Sequence, residues 1–520
     1  MPAPARVVIE SVRPQVDGGR YPIKRVVGEE VIVEADVFAD GHDAIACELL
    51  WKFEQESEWR AVPMEFRLND HWVGAFTVEA LGRCQYKVRG WTDPFLTWRR
   101  DLAKRRDADQ DLSIDFLIGA ALIDDPVLAD ASRTPEERYQ AAMAAEAPPP
   151  APESVMESEP ALEVVVDPVR ARFSTWYEMF PRSARGDGRH GTFKDVVALL
   201  PYVQEMGFDV LYFPPIHPIG STARKGKNNA VSAKPGDVGS PWAIGAKEGG
   251  HKAILPELGT MADFEHLVAE AKKRGIEVAL DIAFQCSPDH PYVKEHPEWF
   301  RIRPDGTVQY AENPPKKYQD IYPFEFETPA WKSLWEELKS VFEFWVGHGV
   351  TVFRVDNPHT KAFAFWEWAI RELKTEHPEL IFLSEAFTRP RIMHKLSKIG
   401  FTQSYTYFAW RNTKAELIEY FTELTQSSTR EYFRPNVWPN TPDILHETLQ
   451  LGGRPAFIVR LVLAATLAAN YGIYGPAYEL LENTPREPDS EEYLDSEKYE
   501  VKRWDLGRAD SLRELIARLN

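Results

Sequence analysis

Cysteine is scarce in this chain, with three residues (Cys47, Cys84 and Cys286) among 520. Three scattered thiols exclude a disulfide framework and a cysteine-based zinc site, and they suit a reducing compartment. Long apolar runs are also missing, because the longest stretch, residues 456–471, is interrupted by polar residues and is too short to span a bilayer. The first eight residues contain no apolar signal segment. We therefore expect a cytoplasmic protein with no membrane partner.

Basic residues are in the minority. Lysine and arginine number 61 against 80 aspartate and glutamate residues, which gives a formal net charge of −19. Long-range repulsion makes such a chain a poor binder of nucleic acid, and an anionic substrate would need a local basic patch. The sequence also lacks a glycine-rich nucleotide loop and a histidine or cysteine pair at metal-ligand spacing. We expect no nucleic-acid partner, no cofactor and no metal.

Apolar and aromatic residues are abundant, at 44% and 12% of the chain. This content is sufficient for large cores, and the length leaves room for about two to four domains. Residues 1–100 alternate β-type runs with turn residues, which predicts an N-terminal β-sandwich. Residues 101–165 are charged and alanine-rich and contain a proline-rich run near their end, which predicts a helical insert and a linker.

Residues 166–520 repeat a pattern of strand, loop and helix. The clearest cycle has a capping box at Thr260 and Asp263, an apolar helical stripe, and then the strand 276–281. The eight candidate strands are 174–180, 209–213, 276–281, 350–355, 380–383, 403–408, the stretch before Asp443, and 471–474. Eight such cycles predict an α/β fold, a (β/α)8 TIM barrel, whose active site lies at the C-terminal ends of the strands.

Three acidic residues follow predicted barrel strands. Asp356 and Glu385 end two successive strands, and Asp443 lies late in the barrel. Arg354, on the same strand face as Asp356, can orient its carboxylate. Glycosyl transfer with retention requires such a pair, because one acid forms a covalent glycosyl-enzyme while the other protonates the leaving oxygen and later activates the acceptor. For each acid taken singly, a helix cap or a solvated loop residue is the alternative interpretation.

The order Asp281, Arg354-x-Asp356, Glu385 and Asp443 resembles the α-amylase superfamily, glycoside hydrolase family 13. Within it, the chain is similar to the maltosyltransferases that use maltose 1-phosphate. The resemblance extends over essentially the whole chain. Its most specific segments are 224–229, 313–320, 434–443 and 495–499.

This resemblance implies roles for individual residues. Asp356 is expected to be the nucleophile, Glu385 the proton donor and later the general base, and Asp443 the acid that stabilises the transition state. The residues expected to bind substrate are Lys225, Gln285, Asn313, Lys316, Tyr318, Asp320, Arg354, Asn357, Lys498 and Tyr499. The implied partners are α-maltose 1-phosphate and an α-1,4-glucan acceptor, and the implied assembly is a homodimer.

Lysines in the loops 224–229 and 313–320 support a phosphate donor. Lys225, Lys227, Lys316 and Lys317 are expected beside the acidic barrel mouth, and ammonium groups bind phosphate oxygens. A solvated turn is the alternative interpretation of either loop alone.

Two positions differ from typical amylases. Gln285-Cys286 stands where amylases carry Asn-His, and Pro442 stands where they carry a histidine before the third acid. Both differences disfavour ordinary starch hydrolysis and agree with the maltosyltransferase subgroup.

Two other functions stay open on sequence grounds. One is a hydrolase or isomerase of the same superfamily, such as a relative of amylase or trehalose synthase. The other is a glucan-binding protein without catalytic activity. Relatives carry a C-terminal β-domain, which we expect to be absent because the sequence ends at or just after a predicted helix, 510–519.

Overall fold

The structure is a computed structural model that describes residues 6–314 and 316–520, without the side chains of Glu153, Asn313 and Lys316. The chain divides into two compact units, Met1–Val166 and Asp167–Asn520. Within the described ranges, every helix is too short or too polar to cross a membrane.

The first unit is built from two β-sheets and a group of helices. Its strands β1–β10 are Val7–Arg13, Ile23–Val26, Glu30–Ala39, Ile45–Phe53, Arg60–Pro63, Glu65–Phe66, His71–Thr77, Gly82–Thr92, Met156–Glu157 and Leu162–Asp167. One sheet has the order β1-β3-β7-β6, and the other has the order β2-β10-β8-β4-β5 with β9 paired to β8. The ladders between β1 and β3 and between β4 and β8 are antiparallel.

Side-chain alternation explains why the two sheets pack face to face. Along β3, Val31 and Val33 are buried whereas their neighbours are more exposed, as expected for a strand with one face in a core. Across the core, the ring of Trp51 on β4 stacks on Phe76 of β7 at 4.8 Å. The predicted N-terminal β-sandwich is therefore present.

Helices α1–α4 of this unit are Pro94–Asp107, Ser113–Ile123, Pro126–Ala129 and Pro135–Ala144. They share a small apolar core that includes Trp98, Leu102 and Phe116. The interpretation of residues 101–165 as insert and linker does not include β9 and β10, which pair with β8. Their partner lies about 70 residues earlier in the chain, as in the Val88–Ser158 hydrogen bond. A local pattern carries no information about such a distant pairing.

The second unit contains the barrel. Its strands β11–β22 are Ser174–Glu178, Val210–Phe213, Glu277–Ile282, Gln285–Cys286, Ala311–Asn313, Lys316–Tyr318, Tyr322–Pro323, Val352–Asp356, Ile381–Glu385, Gln403–Ser404, Asn436–Val437 and Asn470–Tyr474. Its helices α5–α14 are Phe193–Glu205, Met261–Lys273, Pro291–Glu295, Trp331–Gly347, Phe363–Glu376, Pro390–Lys398, Lys414–Gln426, Glu447–Leu467, Gly475–Glu479 and Arg513–Leu519.

Eight of these strands form one parallel sheet in the order β20-β19-β18-β13-β12-β11-β22-β21. A parallel bridge between Ser404 and Pro435 joins the two edges of the sheet. The sheet is thus a nearly closed barrel, and the eight strands predicted from the sequence are confirmed. The β20 strand ends at Ser404, earlier than the predicted 403–408.

Helix α6 shows how local sequence directs one cycle of the barrel. The Thr260 hydroxyl accepts from the Asp263 N–H, and the Asp263 carboxylate accepts from the Thr260 N–H, which is the predicted capping box. Phe264 and Leu267 face the core, and Gly275 follows the helix with a φ of +74°. The chain can therefore turn directly into β13.

Buried polar residues begin four of the barrel strands. The Ser174 hydroxyl donates to Asn470 Oδ1 at 2.8 Å. The Gln403 amide donates to the Ala171 carbonyl at 2.8 Å and accepts from the Asn436 amide at 2.9 Å. These contacts tie β11, β20, β21 and β22 together at their N-terminal ends.

A buried ion cluster lies at the same end. The Asp167 carboxylate, 1% exposed, accepts from Lys374 Nζ and from the Arg434 guanidinium. Lys374 also donates to the carbonyl of Leu380, just before β19, at 3.1 Å. Burial alone would raise the pKa of Asp167, but the two cations outweigh it and lower this pKa to about 2.

Candidate active site

Strand register brings the acidic residues together at the C-terminal ends of neighbouring strands. In the parallel pair β18 and β19, Asp356 lies opposite Glu385. In the pair β13 and β18, Asp281 lies opposite Arg354. Because parallel barrel strands end at one rim, these four side chains meet at a single place.

Arg354 lies at the centre of this group. Its Nη1 donates to Asp281 Oδ2 at 2.8 Å and to Asp356 Oδ1 at 2.9 Å, and its Nη2 lies 3.3 Å from Glu385 Oε1. The side chain is 7% exposed, and it lies 5.8 Å from the Tyr212 ring. One buried guanidinium therefore orients three carboxyl groups.

Three acids around one cation cannot all ionise easily in a buried site. Burial raises the pKa of Glu385 to about 7, with a further contribution from Asp356 and against the attraction of Arg354. Burial likewise raises the pKa of Asp281 to about 7. A carboxyl group that keeps its proton near neutral pH is suited to act as a general acid.

Asn357 connects the two acids. Its backbone N–H donates to Glu385 Oε2 at 3.0 Å, and its side-chain amide donates to Asp356 Oδ2 at 3.3 Å. The residue has a φ of +42°, a left-handed conformation that asparagine adopts more readily than most residues. The turn after β18 thus aims both donors at the acids.

Asp443 is bound by Lys498 and not by Arg354. Its side chain is 47% exposed and accepts a hydrogen bond from Lys498 Nζ at 2.5 Å. Lys498 also lies 4.8 Å above the Trp242 ring. Burial by itself would lower the pKa of Lys498, but Asp443 outweighs burial and raises it above its ordinary value. Lys498 therefore holds the Asp443 carboxylate in place from one side.

These residues surround a cavity of about 1200 Å³. The residues singled out from the sequence that line it are Lys225, Gln285, Tyr318, Asp320, Asp356, Asn357, Glu385, Asp443, Lys498 and Tyr499. Arg354 lies behind the acids that it binds. Asn313 and Lys316 belong to β15 and β16, but their side chains lie outside the described part of the structure.

Two polar residues of the cavity wall are deeply buried. Lys225 is 5% exposed, and its Nζ lies 3.4 Å from Gln319 Oε1. Asp320 is 2% exposed, and its Oδ1 has no hydrogen-bond partner among the described residues. Burial raises the pKa of Asp320. Such groups are suited to bind the hydroxyl groups or the anion of a ligand.

Two of the predicted lysines do not line the cavity. Lys227 is exposed, forms an ion pair with Glu500 at 3.1 Å, and is not among the residues of the cavity wall. Lys317 is also exposed, and it is not part of the cavity wall. Side chains alternate along a strand, so Lys317 of β16 faces away from Tyr318, which lines the cavity.

Sequence reasoning missed two residues of the site, Tyr212 and Lys361. Tyr212 is the last but one residue of β12, and its hydroxyl donates to Asp281 Oδ2 at 2.6 Å. Lys361 lines the cavity and donates to the Asn357 carbonyl at 3.2 Å. Trp242, one of the aromatic residues that the sequence offers for stacking on a sugar face, lines the cavity beneath Lys498. The position of Tyr212 near the end of its strand is a usable signal, whereas Lys361 lies in a loop that carries none.

Within the described ranges, no group of three or more histidine, cysteine, aspartate or glutamate side chains is arranged to hold a metal ion.

Two sequence profiles match this chain. The profile described as "Alpha-1,4-glucan:maltose-1-phosphate maltosyltransferase, domain N/S" matches residues 5–175, and "Alpha amylase, catalytic domain" matches residues 176–337. The second match covers β12 and β13 and the loops that carry Lys225, Gln285 and Asp320.

Several known proteins are similar over almost the whole chain. A Chlorobaculum tepidum protein named "Alpha-1,4-glucan:maltose-1-phosphate maltosyltransferase" is 56% identical over 540 residues, covering 99% of this chain and 80% of its own length. A protein of Methylacidiphilum infernorum with the same name is 52% identical over 535 residues, with the same coverage of both chains.

Solved structures share the barrel. An alpha-amylase from Lactobacillus plantarum superposes with a TM-score of 0.51 at 23% identity, covering 67% of this chain and 79% of its own. A noncanonic maltogenic alpha-amylase from Thermotoga neapolitana gives 0.51 at 21% identity, covering 67% and 75%. These structures support the fold alone. From the full-length relatives, the chain belongs to the family of alpha-1,4-glucan:maltose-1-phosphate maltosyltransferases, with an alpha-amylase-type barrel.

Proposed function

We propose that this protein is a retaining maltosyltransferase. It transfers a maltosyl unit from α-maltose 1-phosphate to the non-reducing end of an α-1,4-glucan and releases phosphate. The observation that carries the proposal is the group of Asp281, Asp356 and Glu385 around Arg354 at the barrel rim, in a chain 56% identical to a relative of that name.

In the first half-reaction, the Asp356 carboxylate attacks C1 of the maltosyl unit. The bond between C1 and the phosphate oxygen breaks, its electron pair leaves with the phosphate, and an ester forms between the sugar and Asp356. Arg354 donates a hydrogen bond to one oxygen of Asp356 and Asn357 donates one to the other, so together they orient the attacking carboxylate. Burial raises the pKa of Glu385 to about 7, so this carboxyl group can still carry a proton near neutral pH, and we assign it to donate that proton to the leaving oxygen.

In the second half-reaction, an acceptor hydroxyl replaces phosphate. Glu385, now a carboxylate, removes the proton of the 4-hydroxyl at the glucan end while that oxygen attacks C1. The ester to Asp356 breaks, and the Asp356 carboxylate is regenerated. Two inversions at C1 leave the product with the α configuration of the donor.

Asp443 lines the same cavity as Asp356 and Glu385. We assign it to the stabilisation of the positive charge that develops at the ring in the transition state. Its hydrogen bond from Lys498 orients the carboxylate, and its 47% exposed side chain is accessible to a ligand.

Lys225 supplies part of the binding site for the donor. Its ammonium group is buried in the cavity wall, where a phosphate or a sugar hydroxyl can accept from it. Gln285, Tyr318, Asp320, Asn357 and Tyr499 line the same cavity and are assigned to substrate binding together with Asn313 and Lys316. Phosphate is a good leaving group, so departure requires less protonation than cleavage of a glycosidic ether.

The experiment is incubation of the protein with α-maltose 1-phosphate and maltohexaose, followed by measurement of phosphate and of chain length. We expect phosphate release with growth of the glucan by two glucose units per event. Reducing sugar formed from maltohexaose alone would instead identify a hydrolase. Retained affinity for the glucan with neither product would identify a glucan-binding protein.

The family resemblance further supports a homodimeric, cytoplasmic protein built from domains at residues 1–100, 101–165 and 166–520. Light scattering of the purified chain tests the assembly. A mass twice that of the monomer is expected, and a monomer at all concentrations would contradict it.

A further inference from the structure

Three histidines lie buried near the turn at residues 283–285, which leads into β14. His217 and His251 are 1% exposed, and His290 is 2% exposed. None of them lines the described cavity. Because a buried polar group costs free energy unless it is hydrogen-bonded, the partners of these rings indicate what they do.

Hydrogen bonds fix the tautomers of two of these rings. His290 Nδ1 accepts from the Tyr292 backbone N–H at 3.1 Å, so the proton of this ring is on Nε2. That Nε2–H donates to His251 Nδ1 at 3.1 Å. His251 must then carry its proton on Nε2, which donates to the Ala283 carbonyl at 2.9 Å. The chain of bonds runs in one direction, from Tyr292 to Ala283.

The backbone around His290 is shaped to receive its ring. A Cβ atom on Gly245 would lie 2.3 Å from the ring, and one on Gly250 would lie 1.9 Å from Nε2. Gly245 also has a φ of +109°, which only glycine adopts without strain. Two glycines thus form a close-fitting socket for His290.

The far end of the chain of bonds lies beside the substrate cavity. The Ala283 carbonyl that His251 binds also accepts from the Gln285 N–H at 2.9 Å, which closes a tight turn. Both Phe284 and Gln285 in this turn line the cavity. The orientation of Gln285 therefore depends on a carbonyl whose position is set by His251.

We infer that His251 and His290 are positioning residues that place Gln285 for binding of the donor's maltosyl unit. This inference rests on the proposed function, in which Gln285 touches the donor. The two histidines act through the Ala283–Gln285 turn, so their loss weakens donor binding more than it slows the chemical step.

The surroundings keep this pair neutral. Burial lowers the pKa of His251 to about 4 and that of His290 to about 2. The charged and titratable groups around them are His217, Tyr292 and the ion pair of Lys252 with Glu337 at 2.8 Å. A neutral His251 is required because its Nδ1 must accept a hydrogen bond.

His217 provides a matched control. It belongs to the same cluster, with its ring centroid 5.9 Å from that of His251, but its Nδ1 bonds the Ala253 carbonyl. Its loss therefore removes a buried imidazole without breaking the connection to Gln285.

The test compares His251→Leu, His251→Gln and His217→Leu. The measurements are kcat, KM for α-maltose 1-phosphate, the Kd of maltose by calorimetry, and the melting temperature. We expect His251→Leu to raise KM and Kd about tenfold with little change in kcat. Changes of this size are typical when a residue that orients a binding side chain is lost. His251→Gln can both accept and donate and should restore both constants. His217→Leu should lower the melting temperature while leaving KM and Kd within about twofold.

A double variant tests the route of the effect. If His251 acts through Gln285, the combination His251→Leu with Gln285→Ala should raise Kd no further than Gln285→Ala does alone. Additive effects, an equal loss of affinity in His217→Leu, or a fall in kcat alone would overturn the inference.

Two further measurements separate the possible failures. If His251→Leu does not fold, Gly250→Ala displaces the His290 ring while both histidines remain, and it should raise Kd in the same way. An unchanged Kd there would contradict the inference. If the wild-type protein binds maltose but releases no phosphate, the proposed function fails while the calorimetry still decides the role of His251. A wild type that binds no maltose would contradict both.

Discussion

The pKa values of buried acids are shifted in opposite directions at the two ends of the barrel. At the N-terminal end, one carboxylate, Asp167, is bound by two cations, and its pKa falls to about 2. At the C-terminal end, three carboxyl groups share the single guanidinium of Arg354, and the pKa values of Glu385 and Asp281 rise to about 7.

The two ends differ in the number of cations per carboxyl group, and this difference favours stability at one end and proton transfer at the other. The Asp167 cluster has more than enough positive charge, so ionisation of its carboxyl group favours the folded state. The Arg354 group has too little positive charge to keep three carboxyl groups ionised. It also contains two buried atoms without partners among the described residues, Asp281 Oδ1 and Arg354 Nε. Such a site is less stable than it could be, and it retains acids in the protonation states that proton transfer requires.

The largest expected effect comes from Asp356→Asn at the C-terminal end. Removal of the nucleophile should lower transfer activity by more than about 10⁴-fold, as for other covalent catalysts. The free energy of unfolding should stay the same or rise by about 1 kcal/mol, because one of three crowded acids is gone. Steady-state kinetics and chemical denaturation measure the two quantities. If Asp356→Asn instead lost activity only because it lost stability, the proposed difference between the two ends of the barrel would be contradicted.

The opposite result is expected for Asp167→Asn. Two buried cations would lose their counter-charge, which should lower the free energy of unfolding by about 3–5 kcal/mol. The turnover of the folded protein should stay within about twofold, because the residue lies at the far end of the barrel. Denaturant unfolding and kinetics on the same sample check both.

An exposed pair serves as the control for that substitution. Asp510 bonds Arg508 at 2.7 Å, with both side chains more than 40% exposed. Asp510→Asn should therefore lower the free energy of unfolding far less than Asp167→Asn does. An equal loss in both variants would show that burial does not distinguish the Asp167 cluster.

The raised pKa of Glu385 predicts a pH dependence. The group must carry a proton in the first half-reaction, so kcat/KM for a maltosyl donor with a poor leaving group should fall as pH rises through about 7, up to tenfold per pH unit. The variant Glu385→Gln should be slow, and its kcat/KM should not fall as pH rises through about 7. A fall of the wild-type kcat/KM near pH 4 would instead indicate an acid in an ordinary environment.

The smallest effect concerns two lysines of one loop. Lys225 is buried in the cavity wall, whereas Lys227 is exposed and paired with Glu500. Lys225→Ala should raise the KM for maltose 1-phosphate about tenfold, and Lys227→Ala should change it by less than about twofold. Initial-rate kinetics measure both, and a similar KM for the two variants would contradict the assignment of Lys225.

Local patterns in the sequence predict the barrel well. Strands such as β12 and β19 contain apolar runs bounded by turn residues, and capping signals such as Thr260 and Asp263 mark where the helices begin. The strands β9 and β10 of the first unit are not predicted, because they depend on pairing with a strand far away in the chain.

For the site, the residues at strand ends are predictable and those in loops are not. Register places Asp356 opposite Glu385, as expected for acids at the ends of successive parallel strands. The side chains of Lys225 and Lys227, two residues apart, have different environments in an irregular loop that also contains left-handed residues at Asn228 and Asn229. No periodicity describes such a loop, so only the structure separates the two lysines.

The most direct test of the account is to trap the covalent intermediate. A 2-fluoro maltosyl donor slows hydrolysis of the ester, and peptide mass mapping then locates the sugar. The account predicts one maltosyl label per chain on the peptide that contains Asp356, and none in Asp356→Asn. A label on another residue, or transfer activity that persists in Asp356→Asn, would contradict it.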